Sequence, residues 1–349
     1  MQRQKTGSDL FINLVTKIIS NLTPDTRPFI PLAQSEVKTR SGNTEGVWKR
    51  DDRVSLNTKT NEQTVLNHFV VFAGHDIRCC DIKPKLIEDF YMYLGGLRSK
   101  KGEPICESTK KTYMSSFRSL LNRLGFNGEE LFANIRIKTE KAEKRALDKE
   151  DVDKLFALIN SPELNDSLRK ALLLFLFCYS ANGMPFIDLA FLKWTDIGKG
   201  IIVYYRHKTG VKVTVPINDF MGKVIKLFGQ RESKYVFGLL KRLDPAETMK
   251  EYLDLRGQYN TALHQIGIMA KLSVTLTSYV ARHSWATIAY LSNKPIAFIS
   301  KALGHTNILT TERYIKSISN KEFLKCSEEV SKVINMDVDL RVLDKIHAI

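Results

Sequence analysis

This sequence has few cysteines and no long apolar run. Its five cysteines are an odd number and form no CxxC pair, so they fit neither a disulfide framework nor a paired-cysteine zinc site. The longest apolar run, residues 171–179, is far too short to span a bilayer. Asn13 and Lys17 interrupt the apolar stretch near the start, and no small-residue cleavage site follows it. We therefore expect a cytosolic protein without a signal peptide or a structural metal.

Acidic residues are also outnumbered. The 349 residues include 53 Lys and Arg against 38 Asp and Glu, which gives a net charge of +15 and a pI near 9.5. The excess is present in both halves of the chain, and this favours a polyanion held by the whole molecule. The length and a hydrophobic share of 43% suit two globular domains, each with its own core.

The first part of the chain divides into an uninformative beginning and a helical segment. Residues 1–60 are interpreted as an N-terminal arm, in which residues 11–19 could form one amphipathic helix. Residues 21–47 are rich in Pro, Ser, Thr and Gly, and we predict a loop there. Helical periodicity returns over residues 61–124, and we predict a small helical domain over residues 61–134.

Three helices are predicted in this small domain. Apolar residues recur at helical spacing in its first and last helices, at Val65, Phe69, Phe72, Tyr113, Phe117, Leu120, Leu121 and Leu124. Residues 82–97 predict a third helix, and Pro84 marks its start because proline suits the first helical position. Either Ser108 or Thr109 can cap the last helix.

A second domain follows a charged connection. Residues 135–146 are basic and lack core residues, as a linker would, and residues 147–336 form the second domain, followed by a tail over 337–349. The β-branched runs at 201–205 and 211–215 predict a hairpin, whereas most of the remaining sequence predicts helices. The predicted class is therefore mainly α, of the α+β type: a helical N-terminal domain and a mostly helical second domain with a small antiparallel sheet.

The last third of the chain carries an ordered set of reactive side chains. Arg282 lies in the sequence Ala-Arg-His-Ser-Trp-Ala-Thr, on a predicted helix. His305 follows Leu-Gly, and Tyr314 comes nine positions later. A guanidinium can hold a phosphate, a histidine can donate to it, and a phenol oxygen can attack it. The set therefore suits attack on a phosphodiester.

These motifs resemble those of the tyrosine recombinases, the phage integrase family, and the resemblance runs from about residue 61 to about residue 316. It implies that Tyr314 is the nucleophile of a 3′-phosphotyrosyl intermediate, with Arg282 and His305 on the phosphate and no nucleotide, metal or other cofactor. Lys208, at the hairpin tip, resembles the family's general-acid lysine. Tyr279 stands where the family usually has a histidine. A phenol of ordinary pKa, about 10, is a poor base, so His305 could share the general-base role.

One departure concerns the family's first catalytic arginine. The usual spacing places it at Pro185, and a subgroup with Gly-Met-Pro-Phe places it at Asn182, so neither position supplies a cation. The loss of one cation from a phosphoryl-transfer site can cost several kcal/mol. Either Arg206 or Lys193, the nearest cations in sequence, replaces it, or turnover is slow or absent.

The resemblance also implies partners. It makes the helical domain a core-binding domain that clamps DNA, for which the candidate contacts are Lys110, Lys111, Arg118, Arg123 and, from the hairpin, Arg206. The expected partner is double-stranded DNA with inverted-repeat core sites, bound by a homotetramer in the bacterial cytoplasm or nucleoid, with no membrane. The helix predicted over residues 316–336 would pack either on a neighbouring protomer or on its own domain.

Three other interpretations of these sequence features are possible. Each lysine or arginine of the helical domain could belong to an ordinary solvated face. The chain could be a relic of the family that binds DNA without cleaving it, as the missing arginine suggests. A type IB topoisomerase, which shares this chemistry, is the third possibility. The expected activity is DNA strand breaking and rejoining, in integration or inversion of a DNA element.

Overall fold

The computed structural model describes residues 25–39, 56–99, 102–136, 146–242 and 244–315; of Leu56, Asn57 and 313–315 it describes the backbone alone. The chain separates into two compact units, which divide near residue 141. Both units are built mainly from helices, and the only sheet in the described ranges belongs to the second unit. The predicted fold class, mainly α with a small antiparallel sheet, is confirmed.

The first unit is a helical bundle around an aromatic core. Its helices are α1 (Phe29–Thr39), α2 (Leu56–Ala73), α3 (Pro84–Gly96), α4 (Glu107–Arg123) and α5 (Gly128–Leu131). The rings of Phe29, Phe69, Phe90 and Phe117 are fully buried, and Phe69 lies 4.7–5.5 Å from each of the other three. Edge-to-face packing of this kind adds to the burial of apolar surface. The predicted helical faces of α2 and α4 and the Pro84 start of α3 are confirmed.

Two sequence predictions fail in this unit. The loop predicted over residues 21–47 is wrong for Phe29–Thr39, which is helix α1. Phe29, Ile30, Ala33 and Val37 fall on one helical face and are buried, so this part of the predicted arm belongs to the core. The predicted caps Ser108 and Thr109 lie inside α4, which has Cys106 as its N-cap and begins at Glu107. The helix predicted over residues 11–19 lies outside the described residues.

The second unit surrounds the buried helix α7. Its elements are α6 (Lys149–Leu158), α7 (Asp166–Ser180), α8 (Phe186–Ala190), β1 (Ile197–Gly198), β2 (Ile201–Tyr205), β3 (Lys212–Pro216), α9 (Asp219–Phe228), α10 (Pro245–Met269), α11 (Val280–Leu291), α12 (Ile296–Leu303) and α13 (Ile308–Ile315). Every residue from 171 to 178 is buried, and α9, α10 and α11 pack against α7. A helix that is apolar all round needs neighbours on all sides, and these helices supply them.

The sheet confirms the predicted hairpin. Its strands are antiparallel in the order β1-β2-β3, with Ile202 opposite Val215 and Tyr204 opposite Val213. These four side chains are buried, whereas their neighbours on the strands are more exposed. The alternation turns one face of the sheet to the core. The predicted helix over 316–336 and tail over 337–349 lie outside the described residues, as do residues 137–145 of the predicted linker.

Within the described ranges, no helix combines the length and apolar character needed to cross a membrane. The same ranges hold no group of three or more His, Cys, Asp or Glu side chains arranged to bind a metal ion.

Candidate active site

Among the described residues of the second unit, Arg282 is the most buried cation. It lies in the first turn of α11 and is only 2% exposed. Its Nη1 donates to the carbonyl of Gly183 over 3.1 Å, and its Nη2 donates to the carbonyl of Leu303 over 2.5 Å. These two bonds fix the plane of the guanidinium before any ligand arrives.

The loop that contacts Arg282 is the one where the sequence resemblance places the family's first arginine. Asn182 and Gly183 both have positive φ angles, 55° and 64°. A Cβ added at Gly183 would lie 2.8 Å from the Arg282 Cα, so only glycine fits this approach. Pro185 then serves as the N-cap of α8. Neither Asn182 nor Pro185 supplies a cation, and the loop contributes a backbone carbonyl instead.

Arg206 ends beside Arg282. It follows β2, is 7% exposed, and donates from Nη1 to the same Leu303 carbonyl over 2.5 Å. Its Nε lies 2.8 Å from Asp188 Oδ2, an ion pair that lacks the alignment of a hydrogen bond. Two guanidinium groups from distant parts of the chain therefore share one acceptor.

Asp188 contacts the backbone of the hairpin turn in addition to the side chain of Arg206. Its Oδ1 accepts from the backbone N–H of His207 over 2.7 Å. Burial raises the pKa of the Asp188 carboxyl, and the positive charge of Arg206 and the His207 N–H oppose that rise. A carboxylate in α8 is thus tied both to the side chain and to the backbone of the turn.

His207 itself is a packed residue. Its ring lies against Phe191, with 4.6 Å between the centroids. Burial, and then the charge of Lys193, lower the pKa of His207 to about 4. It is therefore neutral near pH 7.

His305 reaches the two arginines through a tight helix end. Gly304 closes α12 with a φ of 66°, and a Cβ there would meet Val213 Cγ2 at 2.7 Å and Arg206 Cγ at 3.0 Å. The His305 N–H donates to Ser300 O over 3.0 Å. Burial, followed by the charges of Arg282, Arg206 and Lys208, lowers the pKa of His305 to about 3.

Two further predicted residues surround this cluster. Lys208 is exposed at the hairpin turn. Two hydrogen bonds close this turn, from the N–H groups of Thr209 and Gly210 to the Arg206 carbonyl. Tyr279 immediately precedes α11 and is 47% exposed. Its ring meets that of His283 edge to face, with 4.8 Å between the centroids.

The predicted nucleophile, Tyr314, lies on α13. Its side chain is outside the described part of the chain, but the helix begins three residues after His305 and packs on both α11 and α12. Thr311, one turn before Tyr314, is fully buried, and its Oγ1 lies 2.8 Å from His305 Nδ1. An open cavity of about 460 Å³ adjoins His305 and is lined with Val211, Lys212, Ala297, Ser300, Lys301, Gly304 and Ile308.

The candidate DNA contacts of the first unit differ in how many contacts they make within the unit. Lys111 is exposed, and the Arg118 guanidinium lies over the Phe132 ring at 5.9 Å. Lys110 forms an ion pair with Glu107. Arg123 forms ion pairs with Glu36 and the fully buried Glu62, at 2.8 and 3.1 Å. Because an unpaired buried carboxylate would be costly, we assign Arg123 to the structure of this unit.

Comparison with known proteins identifies the family of both units. The profile of the phage integrase family matches residues 145–321, and that of the phage integrase SAM-like domain matches residues 29–123. The tyrosine recombinase XerD of Staphylococcus haemolyticus is 27% identical over 190 residues, which cover 52% of this chain and 61% of XerD. A tyrosine recombinase of Thermosipho africanus is 24% identical over 298 residues, which cover 83% of this chain and 94% of that protein.

Solved structures share the fold. The Tn1549 transposon integrase in complex with transposon right end DNA matches 87% of this chain and all of that chain, with a TM-score of 0.61 and 12% identity. A lambda integrase dimer bound to a COC′ core site matches 89% of this chain and 85% of that chain, with a TM-score of 0.55 and 16% identity. Among the curated relatives, the chain spans 61% of the S. haemolyticus XerD and 66% of the Thermococcus kodakarensis XerA.

Proposed function

Because the chain belongs to the phage integrase family, we propose that it is a site-specific DNA recombinase that cleaves and rejoins strands through a 3′-phosphotyrosyl intermediate. The observation that carries the proposal is the convergence of Arg206 and Arg282 on the Leu303 carbonyl, beside His305. Two fixed guanidinium groups and an imidazole suit a phosphorane-like transition state, which carries more negative charge than the substrate.

We assign Arg206 to the task of the absent first arginine. Its ion pair with Asp188 is the main support, since Asp188 belongs to the helix that the first arginine would precede. In this chain the cation beside Asp188 therefore comes from the hairpin and not from the loop before α8. Lys193, the other candidate, is exposed and lies before a short 3₁₀ turn.

Each remaining residue then has a defined role. Tyr314 attacks the phosphorus, and Lys208 protonates the 5′ oxygen that leaves. Tyr279 donates a hydrogen bond to the phosphate. The phosphotyrosyl bond conserves the energy of the broken phosphodiester, so rejoining needs no nucleotide and the reaction needs no metal. Lys212 and Lys301, in the cavity beside His305, can attract neighbouring phosphates.

The proposed partner is double-stranded DNA with inverted-repeat core sites. Lys111 and Arg118 of the first unit remain candidate backbone contacts, whereas the charge of Arg123 is used inside the unit. Paired half-sites imply paired protomers, and we propose a homotetramer on two such sites, in the bacterial cytoplasm or nucleoid. The structural relatives in complex with DNA support the choice of partner.

A covalent-trapping experiment tests the activity. The probe is a nicked duplex that carries an inverted repeat from the DNA flanking the coding region, so that cleavage releases a short strand and prevents rejoining. We expect a protein–DNA adduct that survives denaturation in the wild type and is absent from Tyr314→Phe. Binding without an adduct would contradict the proposal and favour a DNA-binding relic, which the missing first arginine makes the second candidate. Relaxation of any supercoiled plasmid, regardless of sequence, would indicate a topoisomerase.

A further inference from the structure

Among the residues that the structure describes, the hydroxyl of Thr311 has a single hydrogen-bond partner, the ring of His305. It lies 2.8 Å from His305 Nδ1, and Thr311 is 0% exposed, so water cannot reach it. Several other threonines within helices donate to the carbonyl four residues earlier, as Thr64, Thr112 and Thr248 do. Across the part of the chain that the structure describes, the Thr311 hydroxyl makes no such bond and pairs with His305 instead.

This isolation decides which atom carries the proton. If Nδ1 were protonated, it would donate to the hydroxyl, and the hydroxyl's own proton would be buried without an acceptor. If Nδ1 is unprotonated, the hydroxyl donates to it and both groups are used. A buried donor without a partner is costly, whereas a hydroxyl oxygen with an unused lone pair costs less. The second arrangement is therefore the stable one.

We propose that Thr311 is a positioning residue that holds His305 in its Nε2–H tautomer, so that the imidazole donates a hydrogen bond to a non-bridging oxygen of the scissile phosphate. The proposal rests on the proposed function for its phosphate, but the tautomer is a property of the free protein. The bond that the second ring nitrogen makes generally sets which nitrogen of a histidine is protonated.

The tautomer limits what His305 can do. With a proton on Nε2 and a hydrogen bond at Nδ1, the ring has no free lone pair to accept the phenol proton of Tyr314. That proton passes to solvent water as the Tyr314 oxygen bonds to phosphorus. The lowered pKa of His305, about 3, agrees with a neutral ring, since burial and the nearby cations disfavour imidazolium.

The same bond links two parts of the site. Thr311 belongs to α13, the helix of Tyr314, and His305 belongs to the turn after α12, where the two arginines meet the Leu303 carbonyl. One hydrogen bond therefore connects the helix of the proposed nucleophile to the phosphate donors. Loss of the Thr311 hydroxyl should lower the rate of the cleavage step and leave the affinity for DNA unchanged.

The first test is spectroscopic and does not need activity. Protein labelled with ¹⁵N-histidine has seven histidines, and the signals of His305 are those lost in His305→Gln. In the free wild type near pH 7 we expect protonated Nε2 and unprotonated Nδ1. In Thr311→Val the two tautomers should become mixed. A protonated Nδ1 in the wild type would overturn the proposal.

The second test is kinetic. Thr311→Val keeps the side-chain shape and removes the hydroxyl, and we expect about tenfold slower adduct formation at unchanged DNA affinity. Thr311→Ser should restore the rate, and Thr310→Val, at the exposed neighbouring threonine, should match the wild type. Equal rates in Thr311→Val and the wild type, or no rescue by serine, would refute the positioning role. Lack of an adduct in the wild type would refute the proposed function, and the spectra would still decide the tautomer.

Discussion

At the scale of single residues, the site is a set of side chains fixed by backbone carbonyls. Arg206 and Arg282 are both almost fully buried, and Leu303 supplies an acceptor to each of them. A carbonyl shared in this way offsets the repulsion between the two cations and holds their planes. Under the proposed function, guanidinium groups fixed in this way would need little reorganisation to bind a phosphate.

Arg206→Lys tests the replacement of the missing arginine. Lysine keeps the charge that Asp188 requires, but it lacks the planar guanidinium that reaches both Asp188 and the Leu303 carbonyl, so the fold should survive while cleavage slows by about 100-fold. Adduct formation in single-turnover conditions measures the effect. Lys193→Ala is the matched control at the rival cation and should retain the wild-type rate. A large loss in Lys193→Ala with none in Arg206→Lys would reverse the assignment.

At the scale of helices and strands, the sequence allowed most of the second unit to be predicted. The β2–β3 hairpin and α7 follow from β-branched and apolar runs, which are local signals. Helix α1 was missed because the Pro, Ser and Thr content around it outweighed its four apolar positions. Its burial depends on partners in α2 and α4, and contacts that distant in sequence leave no mark in composition.

The site shows the same limit. The motifs around Arg282, His305 and Tyr314 could be read from residue order, and so could the lack of an arginine at Asn182 and Pro185. The partner of Arg206 could not, because Leu303 lies 97 residues away and contributes a backbone atom that any residue type has. Thr311 was likewise missed, although it lies three residues before the tyrosine. A buried hydroxyl is identified by its surroundings and not by its spacing.

Gly183→Ala tests the packing of the loop before α8. The new methyl group would lie 2.8 Å from the Arg282 Cα, at a φ of 64° that alanine adopts at a cost. We expect the free energy of unfolding to fall by about 1–3 kcal/mol, with slower cleavage, because the loop carries an acceptor of Arg282. Urea denaturation measures the first effect.

Gly222→Ala is the matched control for that substitution. Gly222 lies inside α9, and an added Cβ there would meet nothing within 4 Å. Alanine is the better helix former, so this variant should be unchanged or stabilised by up to about 1 kcal/mol. If Gly183→Ala behaved as Gly222→Ala does, the loop would not be held against Arg282.

At the scale of the whole molecule, the basic excess extends beyond the candidate active site. The net charge of +15 includes lysines and arginines of both compact units, and part of that charge is used internally, as in the ion pairs of Arg123 with Glu36 and Glu62. The cations that remain exposed are those available to a phosphate backbone. Affinity for DNA should therefore depend on counterion release over a wide surface rather than on the site alone.

Salt dependence of DNA binding tests this view. The logarithm of the association constant should fall linearly with that of the salt concentration, with a slope of about −0.9 for each phosphate neutralised. Lys111→Gln should reduce the magnitude of the slope by about one phosphate if Lys111 contacts the backbone. Lys85→Gln removes the same charge from the same unit, at a lysine that already pairs with Asp89 at 2.9 Å, and should change the slope less. Fluorescence anisotropy with an inverted-repeat duplex measures both. Equal effects would mean that only net charge matters, and a flat salt response would contradict binding to the phosphate backbone.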